Sequence, residues 1–391
     1  MADSILALAA DPPQDPIERR ALYEAAKKLM FSVESNHDVQ HRIDYGGFPL
    51  YIANIAIDLG VFKALAKAAG KPWSITDLAQ HLECEELLLS RVLRGLVAYG
   101  LACSHPDGTY SSNATTVLFA QPGRESGVLH NVLTVLPSMQ CLPDYIRDHE
   151  YKCPTSGHDT AFQPAFNTSE DLFTYLGSHP RDLSAAIGQM AAQRADQASW
   201  IQSDAVFPTE VFELSEKDIA DARALMVDVG GGSGHQSIAL RMAHPEISGP
   251  IILQDLPHTI GLVDKERMGE LGIQCMAHDF NTPQPVRGAK VYYLRNILHD
   301  WPDDVSLNIL KQLRAAVADD SILVVDEIVV TEDKIRWQQV NYDFIMMSVC
   351  GALERTEKQW ADLMAAAGFQ LQEVRMYDGD KGDSLVIGTP A

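Results

Sequence analysis

The sequence predicts an α/β protein: a mainly parallel sheet with helices on both faces, preceded by a helical, winged-helix-like region. Three observations predict it. Over residues 216–391, short apolar runs alternate with helical patterns, the signature of strand–helix–strand units. A strand–glycine–helix passage at 226–244 opens that alternation. The first 120 residues instead read as helix, helix and hairpin. At 391 residues the chain is long for a single core, and its 46% hydrophobic content can fill more than one.

Within residues 1–120, the stretch 50–62 reads as one long apolar helix ending at a glycine. Ser74-Ile75-Thr76-Asp77 resembles a capping box and starts a short helix. A second helix, 87–99, ends at Gly100, and Pro106-Asp107-Gly108 turns a hairpin inside 103–112. A winged helix of this order would bind DNA through its second helix. Here that helix carries Glu85 and Glu86 against only Arg91 and Arg94, which opposes the role. Residues 121–215 form a second, irregular helical region, with helical stretches at 129–137 and 188–194 and a loop at 154–163.

Residues 216–391 form the third region. Strands are expected at 226–229, 250–254, 273–277, 290–295, 321–330, 369–376 and 384–388. Helices are expected at 235–244, 258–270, 303–317, 338–350 and 356–366. A ligand should then sit beyond the carboxyl ends of the strands.

The turn Gly230-Gly231-Gly232-Ser233-Gly234 lies at such an end. Glycines let a ligand lie against bare backbone and reach helix N-terminal N–H groups. The spacing is not Gly-x-Gly-x-x-Gly, and the Gly-Lys-Ser/Thr ending of a P-loop is missing. Asp255 ends the next strand, where an acid either holds ribose hydroxyls or caps the helix after Leu256-Pro257. His299 follows the 290–295 strand. Its position fits a cap, a packing residue, or a base, since histidine exchanges a proton near its ordinary pKa of about 6.5.

The formal net charge of −22 and pI near 4.9 oppose nucleic acid or an anionic membrane as the main partner. The six cysteines, Cys84, Cys103, Cys141, Cys153, Cys275 and Cys350, show neither metal-ligand nor paired spacing. Reduced thiols in a cytoplasmic setting, with no metal, are expected. The N-terminus lacks the pattern of a signal peptide, and no run reaches the length of a membrane helix.

Asp228-Val229-Gly230-Gly231-Gly232-Ser233-Gly234 resembles the first motif of the class I S-adenosylmethionine (SAM) methyltransferases. Leu253-Gln254-Asp255-Leu256-Pro257, Leu294-Arg295-Asn296-Ile297-Leu298-His299-Asp300-Trp301 and Glu354-Arg355-Thr356-Glu357 narrow the likeness. Together they are similar to the small-molecule O-methyltransferases of plant and fungal secondary metabolism. The resemblance covers the chain from about Asp38 to its end. It implies a Rossmann-like SAM-binding domain at 216–391, a dimerisation domain at 1–120 that pairs two copies through its helices, and a region at 121–215 that walls the substrate pocket.

The resemblance also implies site roles. His299 would be the general base that deprotonates a phenol or enol, with Glu327 and Glu354 as its acidic partners. SAM would be held by Asp228, Gly230, Gly232, Asp255, Leu256, Asp279, Phe280 and Arg295, with Asp255 on the ribose and Asp279-Phe280 on the adenine side. Asp326 is a neighbour easily mistaken for Glu327. His130, Asn341, Met346 and Met347 would line the acceptor pocket, although a methionine pair at that spacing also fits simple core.

This chain departs from the family at Gly351-Ala352-Leu353-Glu354, where relatives often carry Gly-Gly, and Ala352 is expected to add a methyl near the pocket. Two alternatives accompany methyl transfer. Some fungal members bind SAM yet catalyse dehydrations or pericyclic rearrangements, for which His130 and Arg295 would polarise a substrate carbonyl. A non-catalytic winged-helix regulator is the other.

Overall fold

The computed structural model describes residues 2–192, 199–203, 206–379 and 381–391. The chain divides into two compact units, Met1–Val128 and Leu129–Ala391. The irregular region expected at 121–215 therefore falls almost wholly within the second unit. Gln193 and Arg194, the end of the helix expected at 188–194, lie outside the described residues.

The first unit begins with helices Ala2–Ala10, Pro16–Val33 and Asn36–Asp44, none of which buries a residue. The apolar helix expected at 50–62 is instead two helices, Phe48–Asp58 and Val61–Lys67, bent by 69°. Gly60 between them is left-handed at φ 78°, a conformation that ends a helix and that glycine adopts without strain. Helices Ile75–His81 and Glu86–Ala98 follow, then an antiparallel hairpin of β1 (Cys103–Ser104) and β2 (Tyr110–Ser111). Phe62, Leu65, Leu78, Leu89, Leu93 and Leu96 are buried in this unit.

The second unit is built on an eight-stranded sheet. Its strands are β3 (Met226–Val229), β4 (Ile251–Asp255), β5 (Ile273–Ala277), β6 (Val291–Arg295), β7 (Ile322–Val330), β8 (Arg355–Thr356), β9 (Phe369–Met376) and β10 (Asp383–Pro390). The order is β5-β4-β3-β6-β7-β10-β9, and β8 pairs with the far end of β7. Strands β3 to β8 pair with one another in parallel; β10 is antiparallel to β7 and β9. The short connection 377–382 leaves no room for the crossover that parallel pairing of β9 and β10 needs.

Alternation along the strands feeds two cores. In β6, Val291 and Tyr293 join Trp200, Phe207, Phe212 and Leu240 on one face. Tyr292 and Leu294 join Ile309, Leu313, Trp360 and Met364 on the other. Both faces are therefore covered, as period-two side chains demand. The chain runs from β3 outward to β4 on one side and to β6 on the other. The crevice at that reversal is where open α/β sheets bind ligands.

Two further helices differ from expectation. The helix at 258–270 is split into Pro257–Leu262 and Lys265–Glu270, because Asp264 caps the second one through Arg267 N. The stretch 129–137 contains a π turn, Asn131–Val135, between helices Glu125–His130 and Leu136–Asp148. Leu136 N donates to Asn131 O, five residues back, and Pro137, with no N–H, cannot restore the α pattern. The helix Trp337–Cys350 ends at Gly351, φ 62°, where a Cβ would lie 2.7 Å from Ser156 O. Glycine is needed there for both reasons. Ala352 is buried beside Phe162, Leu172, Leu176 and Ala186, so its methyl fills packed core instead of the expected pocket wall.

Candidate active site

The glycine turn leaves β3 with Gly230 at φ 69° and Gly232 at φ 60°. A Cβ on Gly230 would meet Ile297 Cδ1 at 2.6 Å and Phe280 Cε1 at 3.6 Å. Nothing lies within 4 Å of a Cβ on Gly232. Bare backbone thus fronts open space at one glycine and accepts a close neighbour at the other. Asp255, at the end of β4, takes Gly232 N on Oδ2 at 2.9 Å and Leu256 N on Oδ1 at 2.7 Å. Its remaining lone pairs stand beside the turn, and Leu256 is exposed.

Asp228 is grouped with the cofactor contacts by sequence. The structure places it beneath the turn, 1% exposed, accepting Ser237 Oγ at 2.6 Å. A Cβ on Gly231 would strike its Cγ at 2.5 Å. Asp228 braces the turn from below, and burial raises its carboxyl to about 6. Asp279 is exposed, with Oδ1 occupied by Asn281 N at 2.9 Å. Phe280 is half-buried and meets the Trp301 ring edge-on. His278 N donates to Asp255 O, which ties the ends of β4 and β5 together.

Strand β6 ends at Arg295, whose Nε lies 3.4 Å from Asp326 Oδ2. Asn296 then turns the chain at φ 51°, a left-handed angle that asparagine tolerates better than most residues. Ile297 and Leu298 are held by Glu327 Oε1, which accepts their N–H groups at 3.1 and 2.6 Å. His299 sits in the short 3₁₀ turn Leu298–Asp300. Its Nδ1 bonds Glu354 Oε1 at 2.9 Å, and its Nε2 lies 3.5 Å from Asp300 Oδ1. Asp343, on the helix Trp337–Cys350, accepts Glu354 N at 3.0 Å.

Of the three expected catalytic residues, His299 and Glu354 therefore meet directly. Glu327 hydrogen-bonds the backbone before His299 and reaches the ring through charge alone. Asp326 and Glu327 are adjacent in β7 and so face opposite sides of the sheet. Asp326 accepts Tyr293 OH, Tyr377 OH and Trp200 Nε1 at 2.6, 2.6 and 3.0 Å.

The acceptor-side residues do not form one cluster. His130 ends the helix Glu125–His130; burial lowers its pKa, and its Nδ1 has no hydrogen-bond partner. The π turn after it packs on the helix Trp337–Cys350. On that helix Asn341 is exposed. Met346 packs with Phe162 and Leu176, and Met347 with Leu142 and Tyr145.

Arg355 has no role in the sequence reading, yet it organises the site. It is 1% exposed. It donates to Leu298 O at 2.9 Å, Trp301 O at 3.1 Å, Ser306 Oγ at 3.2 Å and Asp303 Oδ1 at 2.8 Å. Its guanidinium also lies 5.2 Å from the Trp360 ring centre. The available signal was an arginine next to Glu354, between an apolar stretch and a helix start.

Burial alone would push His299 down. The charges of Glu354 and Asp300 outweigh it and raise His299 to about 10. Burial raises Glu327 to about 7, against the pull of His299 and Arg355. It raises Asp300 to about 6.

The residues fit SAM. The open backbone at Gly232, the free lone pairs of Asp255 and the Phe280 ring beside Gly230 form a cradle that added Cβ atoms would alter. A family model described as O-methyltransferase domain matches residues 179–370, and one described as O-methyltransferase dimerisation domain matches 52–122. Demethylsterigmatocystin 6-O-methyltransferase of Aspergillus flavus is 34% identical, over 95% of this chain and 93% of that protein. A solved structure described as a pericyclic reaction enzyme superposes with TM-score 0.92 at 33% identity, covering all of both chains. Another, LepI in complex with SAM, gives TM-score 0.90 at 34% identity over 100% of this chain and 98% of that one.

Two outcomes follow from this geometry. Arg355→Met removes the hydrogen bonds of the buried guanidinium, leaving Ser306 as the side-chain donor to the Leu298 and Trp301 carbonyls, and should cost roughly 2–5 kcal/mol in urea unfolding; an unchanged midpoint would show the clamp to be dispensable. His299 has a folded pKa raised above its unfolded value of about 6.5. The stability it contributes should be full below pH 6.5 and lost as pH rises toward about 10. Melting curves of wild type and His299→Gln should therefore converge over that window.

Proposed function

The chain belongs to the SAM-dependent O-methyltransferase family, and on that premise we propose that it methylates a phenol or enol hydroxyl of a small secondary metabolite, with His299 as general base. The observation that carries this reading is the His299–Glu354 bond of 2.9 Å at the carboxyl edge of the sheet, beside the glycine turn. Glu354 fixes the ring with Nδ1 toward itself and stabilises the imidazolium. Nε2 is then left to take the acceptor proton. Glu327 and Arg355 hold the turn that carries the ring, and Asp300 flanks it.

SAM supplies an activated methyl on sulfur when bound. Asp255, Leu256, Gly230, Gly232, Asp279, Phe280 and Arg295 are the residues proposed to hold it, with Asp228 bracing the turn. His299 would take the hydroxyl proton, and the methyl that bound SAM offers would leave sulfur for the freed oxygen, so that the products would be a methyl ether and S-adenosylhomocysteine. His130, Asn341, Met346 and Met347 are proposed to contact the acceptor.

A second reading is a pericyclase or dehydratase that binds SAM without spending its methyl. The full-length likeness to a pericyclic reaction enzyme and the unpartnered His130 Nδ1 favour it; Arg295 and His130 would then act on a substrate carbonyl. Mass spectrometry over a library of phenols and enols separates the two. Methyl transfer requires S-adenosylhomocysteine in step with a product 14 Da heavier, and His299→Ala should lose about 10²–10⁴-fold in turnover while still binding SAM. Product without S-adenosylhomocysteine would sink the proposal and give His130 and Arg295 the chemistry.

The dimerisation domain and three N-terminal helices that bury nothing support a homodimer formed through the first unit. Light scattering should return twice the 43.0 kDa chain mass; a stable monomer would count against it.

A further inference from the structure

The turn that carries His299 is ringed by carboxyl groups from four elements. Asp300 comes from the turn itself, Glu327 from β7, Asp343 from the helix Trp337–Cys350, and Glu354 from the residue before β8. Glu327 is 0% and Glu354 4% exposed. In each, Oε1 is hydrogen-bonded while Oε2 has no partner. A buried carboxylate oxygen left open in this way is costly unless something positive reaches it.

The groups at hand supply that charge only in part: His299 and Arg355 pull Glu327 down without offsetting its burial. Arg355 is committed to Asp303 and to the carbonyls of Leu298 and Trp301. Arg295 is paired with Asp326 on the opposite face. The remaining titratable neighbour, Cys350, is a buried thiol held neutral by burial. Among the described residues His299 is the cation inside the ring, and it faces three acids, Glu354, Asp300 and Glu327, with Asp343 behind Glu354. The strain is visible in the acids themselves: burial first, and then repulsion from Glu354, holds Glu327, Asp300 and Asp343 above the ordinary carboxylate range.

Resting on the methyl-transfer reading, we infer that this carboxyl ring selects its ligands by charge. It favours sulfonium SAM over uncharged S-adenosylhomocysteine, and it admits an acceptor that arrives as a neutral hydroxyl while rejecting a carboxylate. Ile297 links the ring to the cofactor cradle: its side chain abuts Gly230, and its N–H is held by Glu327. A positive charge in the cradle eases the ionisation of the acids and disfavours the imidazolium. His299 then releases its proton on SAM binding and becomes a free base before the acceptor is attacked. S-adenosylhomocysteine brings no such charge, so the ring holds it less tightly. A carboxylic acid acceptor would arrive already ionised; it needs no base and would meet the acids around His299.

Titration calorimetry of the full-length protein with SAM and with S-adenosylhomocysteine tests this, run at pH 8 in two buffers of different ionisation enthalpy. SAM should bind at least about tenfold more tightly and release protons, whereas S-adenosylhomocysteine should release none. Glu327→Gln keeps the acceptor for Ile297 and Leu298 and removes one charge, so the ratio should fall several-fold; Asp300→Asn provides the same test on a different element. Equal or tighter binding of S-adenosylhomocysteine by wild type, or a ratio unmoved by both substitutions, would overturn the inference. Methylation of an aryl carboxylic acid in preference to the matching phenol would overturn it as well. These binding ratios are read without turnover. A protein that prefers SAM but never forms S-adenosylhomocysteine would refute methyl transfer and leave charge selection standing.

Discussion

The site depends on one constraint: the chain between Asn296 and Pro302 leaves the sheet edge without a strand or helix to satisfy its buried backbone. Buried N–H and C=O groups must find partners. Glu327 takes the N–H groups of Ile297 and Leu298, while Arg355 and Ser306 serve the carbonyls of Leu298 and Trp301. A carboxylate clamps one edge of the turn and a guanidinium the other. The left-handed Asn296 sets the direction, and His299 is what the clamp presents. Removing the Glu327 carboxylate would leave the N–H groups of Ile297 and Leu298 without it, and removing Arg355 would leave Ser306 as the side-chain donor to the two carbonyls.

The same clamp explains the electrostatics. The acid that holds the backbone is also one of the acids near the ring, so the turn cannot be secured without adding negative charge beside His299. Arg355 is close enough to temper Glu327, but its donors are used on the turn. The pocket keeps a surplus of carboxyl groups, which grips the imidazole proton and matches a cationic cofactor. Positioning and charge selection thus come from one set of side chains.

On the other face of β7, Asp326 plays a quieter part. Tyr293, Tyr377, Trp200 and Arg295 all converge on it. Three hydrogen-bond donors and the Arg295 charge on one fully buried carboxylate offset the desolvation cost that would otherwise exclude it. They also join β6 and β7 to Trp200 and Tyr377, which pack in the core on that same face. Adjacent residues in one strand do separate work because a strand alternates its faces.

Local pattern was enough for much of this. Strand–helix alternation placed six of the eight strands of the sheet within a residue of where they stand, because burial on both faces writes continuous apolar runs into the sequence; the two-residue β8 was missed and β10 runs two residues further than expected. The glycine turn, Asp255 and the His299–Glu354 pair were legible because their residue types are rare in those local settings and resemble a known family. Tertiary structure alone decided the rest. A bend at Gly60, a split at Asp264 and a π turn before Pro137 broke helices that hydrophobic periodicity read as continuous, since periodicity records which face is buried and not where the backbone turns. Asp228 looked like a ligand contact but faces inward; Glu327 is the acid expected near the ring, but its hydrogen bonds go to backbone; Ala352 looked like pocket wall but is core. Arg355 had no assigned task until the carbonyls it serves came from residues about 50 positions earlier. The sequence by itself determined which groups the chain carries and in what order along the sheet. Which atoms meet depended on strand register and on the need to satisfy one buried turn, and those are properties of residues distant in sequence.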